Sequence, residues 1–140
     1  MFKYEDRQYQ ISAENALVKD ALSGFDIHPL AALPTGSGKT KIIASVIYKI
    51  LDKNPEYNIL VLSHTETILR QDYAAIEEFF PGIRIGLYSS GLKSKTINKI
   101  TVGGIQSIYR KPELFKKFNI ILIDEAHCVP VRGEGMYRKF

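Results

Sequence analysis

Apolar positions along the chain switch between a period near 3.6 and short unbroken runs. Residues 9–23 carry Ala13, Ala16, Leu17, Ala21 and Leu22 at helical spacing, and Gly24 follows as a stop. Leu30-Ala31-Ala32-Leu33 is a short apolar run that reads as a buried strand. Residues 39–52 place Ile42, Ile43, Val46, Ile47, Ile50 and Leu51 on one side of a helix, which Asn54-Pro55 breaks. Ile59–Leu62 is a second apolar strand. Ser63 and Glu66 have capping-box spacing and open a helix striped by Leu69, Tyr73, Ile76 and Phe80, ended by Pro81-Gly82. Ile83, Ile85 and Leu87 alternate with Arg84 and Gly86, the pattern of a half-exposed strand. Residues 89–99 read as a polar, basic loop. Ile100–Val102 is a strand, Gly104–Tyr109 a short helix, and Asn119–Ile123 a continuous apolar strand that runs into Asp124. Strands apolar on both faces belong to parallel sheets covered by helices. The expectation is an α/β three-layer domain with a mostly parallel sheet, one domain over 1–140.

Composition changes this picture little. Of 140 residues, 45% are hydrophobic and 24% charged, enough for a core and too apolar for disorder. The net charge of +4 suits a polyanionic partner without requiring one. Cys128 is the single cysteine, so no internal disulfide is available and a reducing, cytoplasmic setting is expected. The charged start is unlike a signal peptide, and no apolar run nears the roughly 18 residues of a membrane span.

Two short segments carry chemistry. Leu33-Pro34-Thr35-Gly36-Ser37-Gly38-Lys39-Thr40 lies between an apolar strand and an apolar helix. Gly36 and Gly38 permit a sharp turn and close approach of the backbone to phosphate oxygens, which then meet the positive end of the new helix. Lys39 can reach the β- and γ-phosphates and the Thr40 hydroxyl can ligate Mg²⁺. The strict pattern of such loops begins with glycine where this chain has Leu33. Asp124-Glu125 follows the apolar run Ile-Ile-Leu-Ile. A strand delivers Asp124 at its carboxyl end, beside the loop, where it would hold Mg²⁺ while Glu125 orients or deprotonates the attacking water. His127 reads either as a satisfied histidine behind the pair or as a relay to a second ligand.

The order of these motifs resembles superfamily 2 helicases and translocases of the DEAD/DEAH type over essentially the whole chain. That resemblance implies a RecA-like P-loop lobe that uses ATP and Mg²⁺, truncated here after the DEAH box. Arg7-Gln8-Tyr9-Gln10 resembles the family's glutamine motif, in which Gln10 would pair with the adenine edge and Arg7 stack on the base. Pro34 through Thr40 would bind the nucleotide, and a non-glycine first position is common in the family. Ser63-His64-Thr65 and Gly104 with Gln106 resemble the two segments that touch a nucleic-acid backbone. Residues 124–140 are similar to RadD-like DNA-repair helicases and related phage helicases, which favours DNA over RNA as partner. Lys93, Lys95, Lys99, Arg110, Lys111, Lys116 and Lys117 stand against a single Glu113, a basic stretch suited to sequence-independent phosphate contacts. The family's later motifs and its second RecA-like lobe are not in this sequence, so the isolated chain is expected to bind nucleotide with little turnover. The alternatives are a motor subunit of a restriction-type system and a non-catalytic nucleotide- or DNA-binding remnant.

Overall fold

The computed structural model describes residues 7–24, 29–33, 36–129, 135, 136 and 140. Gln8–Ala21 form α1 and Lys39–Lys53 form α2. β1 (Ile59–Ser63) leads into α3 (Glu66–Phe79). β2 (Ile85–Ser89) and a two-residue β3 (Ser94–Lys95) precede β4 (Ile100–Gly104) and the single turn α4 (Ile105–Ile108). β5 (Ile120–Ile123) ends at the acid pair, and Ala126–Cys128 form a 3-10 turn beyond it. No helix among the described residues is long and apolar enough to cross a membrane.

The sheet order is β3-β2-β4-β1-β5. β1 pairs in parallel with β4 on one side and β5 on the other, β2 is parallel to β4, and only β3 is antiparallel. The alternating direction of side chains along each strand splits the core in two. Ile59, Val61, Ile100 and Val102 pack with Ile42, Val46, Ile47 and Ile50 of α2 and with Leu69 and Ile76 of α3. Leu60, Leu62 and Tyr88 pack on the other face with Ile105, Ile108 and Phe115. β1 is buried along its whole length, as its unbroken apolar run requires.

Several expectations change. Leu30–Leu33 is not a strand; it lies along Ala13, Ala16 and Leu17 of α1, and Leu30 is 75% exposed. A run of apolar residues supplies no ladder partner, and here none is paired to it. The half-exposed strand at 83–87 is instead Ile85–Ser89 and is almost wholly buried, because the expected loop at 89–99 folds back and adds β3 beside it. A Cβ at Gly86 would stand 2.6 Å from Thr101 Oγ1 and 2.8 Å from the Asn98 nitrogen, so glycine permits that close return. β5, expected to be covered on both faces, has Ile121 46% and Ile123 37% exposed, and among the described residues it is the last strand of the sheet, with Ile120 and Leu122 packed on the α2 side. The cap of α3 is Thr65, whose Oγ1 accepts from the Ile68 nitrogen, while Ser63 stays in the sheet opposite Gly104.

Candidate nucleotide and nucleic-acid site

α2 ends at Lys53 and the chain reaches the start of β1 within a few residues, so α2 runs against the strands. Its N-terminus, with Gly36–Thr40, therefore stands at the sheet edge where Ser63, Gly104 and Asp124 also lie. Gly36 (φ +77°) and Gly38 (φ +81°) both take the left-handed conformation that side chains disfavour. A Cβ on Gly38 would also come 2.7 Å from Gln10 Nε2. Ser37 is buried and its Oγ has no hydrogen-bond partner. The first N–H groups of an α-helix have no partner within the helix. A buried orphan hydroxyl, a turn that excludes side chains and free helix-end donors together fit a phosphate chain. Lys39 and Thr40 are half-buried at this helix start. Pro34 and Thr35 lie outside the described residues.

The Arg7–Gln10 stretch closes on the loop. Gln10 is buried, donates from Nε2 to the Ser37 carbonyl at 2.8 Å, and accepts from the Arg7 nitrogen at 2.8 Å through Oε1. Tyr9 also donates to the Ser37 carbonyl, and Arg7 Nη1 donates to the Tyr9 hydroxyl. The expected adenine pairing would use both ends of the Gln10 amide; here each end makes one bond to the protein, which braces the loop and leaves a second lone pair and a second N–H on the amide.

Asp124 continues the β5 ladder by donating its N–H to the Leu62 carbonyl at 3.0 Å, and is buried. Its Oδ1 accepts from the Glu125 nitrogen at 2.8 Å. Glu125 has φ +56°, a left-handed turn by a non-glycine residue, which costs on the order of 1–3 kcal/mol and is typical of functional turns. That turn brings Glu125 Oε2 to 3.1 Å from Nδ1 of His127, whose side chain is exposed. Among the described residues no three acid, histidine or cysteine groups converge on one metal position. Mg²⁺ needs only one or two carboxylates when substrate phosphates and water complete its shell, so Asp124 with the Thr40 hydroxyl is a sufficient donor set.

The expected backbone-contact residues do meet. Ser63 pairs in register with Gly104, and Gln106 Nε2 donates to the His64 carbonyl at 2.6 Å. The expected basic stretch does not form one surface. Lys93 and Lys95 flank the hairpin at the site edge. Lys99 bonds the Pro55 carbonyl and Lys117 precedes β5, both at the opposite end of the sheet. Lys116 pairs with Glu113, Arg110 lies over Tyr109, and Lys111 lies near Tyr88. Parallel strands separate residues that are close in sequence.

Sequence reading missed Asp72. It lies on the buried side of α3 with Leu69 and Ile76, wholly shielded from solvent. Its Oδ2 accepts from Ser63 Oγ at 2.7 Å, and its Oδ1 has no hydrogen-bond partner. Burial pushes its carboxyl up from the ordinary 3.8 to about 7; the Ser63 hydrogen bond opposes the rise, and the neighbouring Asp124 and Glu125 carboxyls add to it. The signal was available, since an acid at i+3 from Leu69 and i−4 from Ile76 sits on the core-facing stripe.

Fold and site together define the N-terminal RecA-like lobe of a superfamily 2 helicase-type ATPase. The chain belongs to the family described as type III restriction enzyme, res subunit, whose model matches residues 3–139. It is 35% identical over 101 residues to a putative ATP-dependent RNA helicase of African swine fever virus (isolate Pig/Kenya/KEN-50/1950), covering 68% of this chain and 19% of that protein. It is 31% identical over 135 residues to the DNA 3'-5' translocase XPB2 of Sulfurisphaera tokodaii, covering 94% of this chain and 27% of that one. The chain thus spans about a fifth to a quarter of these relatives. The SWI2/SNF2 ATPase core of Sulfolobus solfataricus, solved with dsDNA, matches the fold with a TM-score of 0.79 at 21% identity, covering 98% of this chain and 29% of that chain.

Proposed function

We propose that this chain is the ATP-binding lobe of an ATP-dependent DNA helicase or translocase, which couples Mg-ATP hydrolysis to movement on nucleic acid. The observation that carries this reading is the glycine loop, braced by Gln10, on the same sheet edge as Asp124 and Glu125. Lys39 and the α2 N–H groups would hold the terminal phosphates, and Thr40 with Asp124 would hold Mg²⁺. When bound, Mg²⁺ supplies charge neutralisation at the transferring phosphate. Glu125 is then the base that takes a proton from the attacking water, with His127 beside it. Ser63, His64, Thr65, Gly104 and Gln106 would contact a DNA backbone without reading its sequence, and RNA is the second candidate. Turnover would need arginines from a second RecA-like lobe, worth roughly 10³–10⁵ in rate in related systems, so this lobe alone binds nucleotide and turns over slowly.

The test is binding of a fluorescent ATP analogue with Mg²⁺. Lys39→Ala should weaken it roughly ten-fold or more, as expected for removal of a charged phosphate contact. Binding unaffected by this substitution would refute the reading. A motor subunit of a restriction-type system is a second reading, favoured by the family model that matches the chain. A non-catalytic remnant would show nucleotide binding but no single-turnover hydrolysis even with a second lobe supplied.

A further inference from the structure

We propose that the aromatic surface where the C-terminal halves of α2 and α3 meet docks a basic polypeptide segment of a partner, one that sets an arginine beside an apolar residue. This surface is separate from the nucleotide edge, because α2 and α3 both start at that edge and run away from it.

Four side chains build it. The Tyr48 ring of α2 lies 5.8 Å from the Phe79 ring and 6.3 Å from the Phe80 ring, and the two phenylalanines lie 5.4 Å apart. The Ile83 N–H donates to the Phe80 carbonyl, which folds the following turn against the same group. Phe79 and Phe80 are packed into the core, so the rings are held in place without a partner. Tyr48 is nevertheless 52% exposed and Ile83 45% exposed. Single exposed apolar side chains are ordinary; a contiguous group already fixed in place loses little entropy on binding and marks an interaction surface.

Charge selects the occupant. A helix ends on the negative pole of its dipole, where bases stabilise it and acids do not. α2 follows that rule with Lys53 in its last turn. α3 breaks it, since its last turn carries Glu77 and Glu78 and no base. Both acids are exposed, and among the described residues neither forms an ion pair, even with the nearby Arg84. Asp52, one turn beyond Tyr48, adds a third acid. Acids at this helix end cost stability, and nothing in the fold offsets that; a cation from outside would. The same charges repel nucleic acid and anionic lipid. Arginine suits the surface best, because its guanidinium pairs with a carboxylate while its flat face stacks on a tyrosine ring. An apolar neighbour would rest on Phe79 and Ile83.

The test is fluorescence anisotropy of a labelled peptide of alternating arginine and leucine, titrated with the 140-residue chain. The chain has a net charge of +4, so capture of a cationic peptide requires a local acidic surface. The parent should bind it. Tyr48→Ser and Glu78→Gln should each weaken binding roughly five-fold or more, the loss expected when an interface anchor is removed. Glu113→Gln, on the other side of the sheet, should leave binding unchanged. A peptide with glutamate in place of arginine should not bind. No binding by the parent, or equal binding by all three variants, overturns the proposal. So does sedimentation that shows the parent self-associating and Tyr48→Ser not, because the occupant is then a second copy. Should Tyr48→Ser fail to fold by circular dichroism, the exposed Glu78→Gln decides alone.

Discussion

Asp72→Asn should change how stability depends on pH, in a direction that burial dictates. In the folded chain the Asp72 carboxyl is raised to about 7, against 3.8 ordinarily. Between these values the folded state binds a proton that the unfolded state has released. Stability from this group is therefore complete below about pH 3.8 and is lost as pH rises through about 7. A rise of about three units at about 1.4 kcal/mol each amounts to about 4 kcal/mol, of which about 3 kcal/mol falls between about pH 5 and about pH 8. That is a large share of the 5–15 kcal/mol that holds typical domains together. Asparagine keeps the acceptor for Ser63 and places an N–H donor where Oδ1 now lacks a partner. It should therefore be similar to or slightly less stable than the parent near pH 5 and clearly more stable near pH 8. Urea unfolding without Mg²⁺ or nucleotide would read this as a difference in midpoint of about 1–3 M that opens across the range. Other carboxyls are common to both chains and largely cancel in the difference. Parallel stability curves would refute the argument, because Asp72 would then be ionised in the folded chain at ordinary cost.

Three further outcomes follow from the geometry. Gly38→Ala should lower stability by about 1–3 kcal/mol, since alanine meets both φ +81° and Gln10 Nε2; an unchanged thermal midpoint would contradict this. Glu125→Gly should leave stability unchanged or raise it by up to about 1 kcal/mol while abolishing hydrolysis in a two-lobed assembly; a loss of stability would show that the left-handed turn is not strained. Oligonucleotide binding should weaken with salt at a log–log slope of about −1 to −2, because Lys93 and Lys95 flank the site edge and Lys111 lies beside Tyr88, the partner of Lys95, while the others lie elsewhere; a slope near −5, as seven phosphate contacts on single strands would give, would contradict the split surface.

What could be read from the sequence was whatever depends on local period. The α2 stripe, the unbroken run of β1 and the Gly-Ser-Gly-Lys-Thr turn each announce themselves within a few residues. What could not be read depends on neighbours in space. Leu30–Leu33 has a strand's composition and no ladder partner. Ser94–Lys95 has a loop's composition and becomes a strand because β2 offers it an edge. In α1 the alanine and leucine stripe holds in part, since Leu17, Ala21 and Leu22 pack on the core, but the fully buried positions are Gln10, Glu14 and Val18. Glu14 is tolerated there because Lys49 and Ser45 of α2 both donate to its Oε2 at 2.7 Å. Ser63 looked like a cap because spacing to Glu66 allowed it; pairing with Gly104 keeps it in the sheet, and its hydroxyl is spent on Asp72. Buried polar residues become legible only once their partners are known.

The site hangs on two supports. The loop is braced from α1, through Gln10 and Tyr9 on the Ser37 carbonyl. The acid pair is braced from β1, through the Leu62 carbonyl that accepts from the Asp124 N–H. α2 joins them, since its first turn completes the loop, its body packs on β1, and Lys49 and Ser45 hold Glu14 of α1. A triphosphate that touches Lys39 while its metal touches Asp124 spans both supports at once. Its binding energy then opposes any separation of α1 from the sheet, because binding to the folded arrangement alone stabilises it by mass action. The N-terminal helix, seated on the core partly through a buried ion pair, is therefore the element whose docking nucleotide should tighten most. Hydrogen exchange in Gln8–Ala21 should slow when Mg-nucleotide is added, more than in β1, whose amides are already locked between two neighbours.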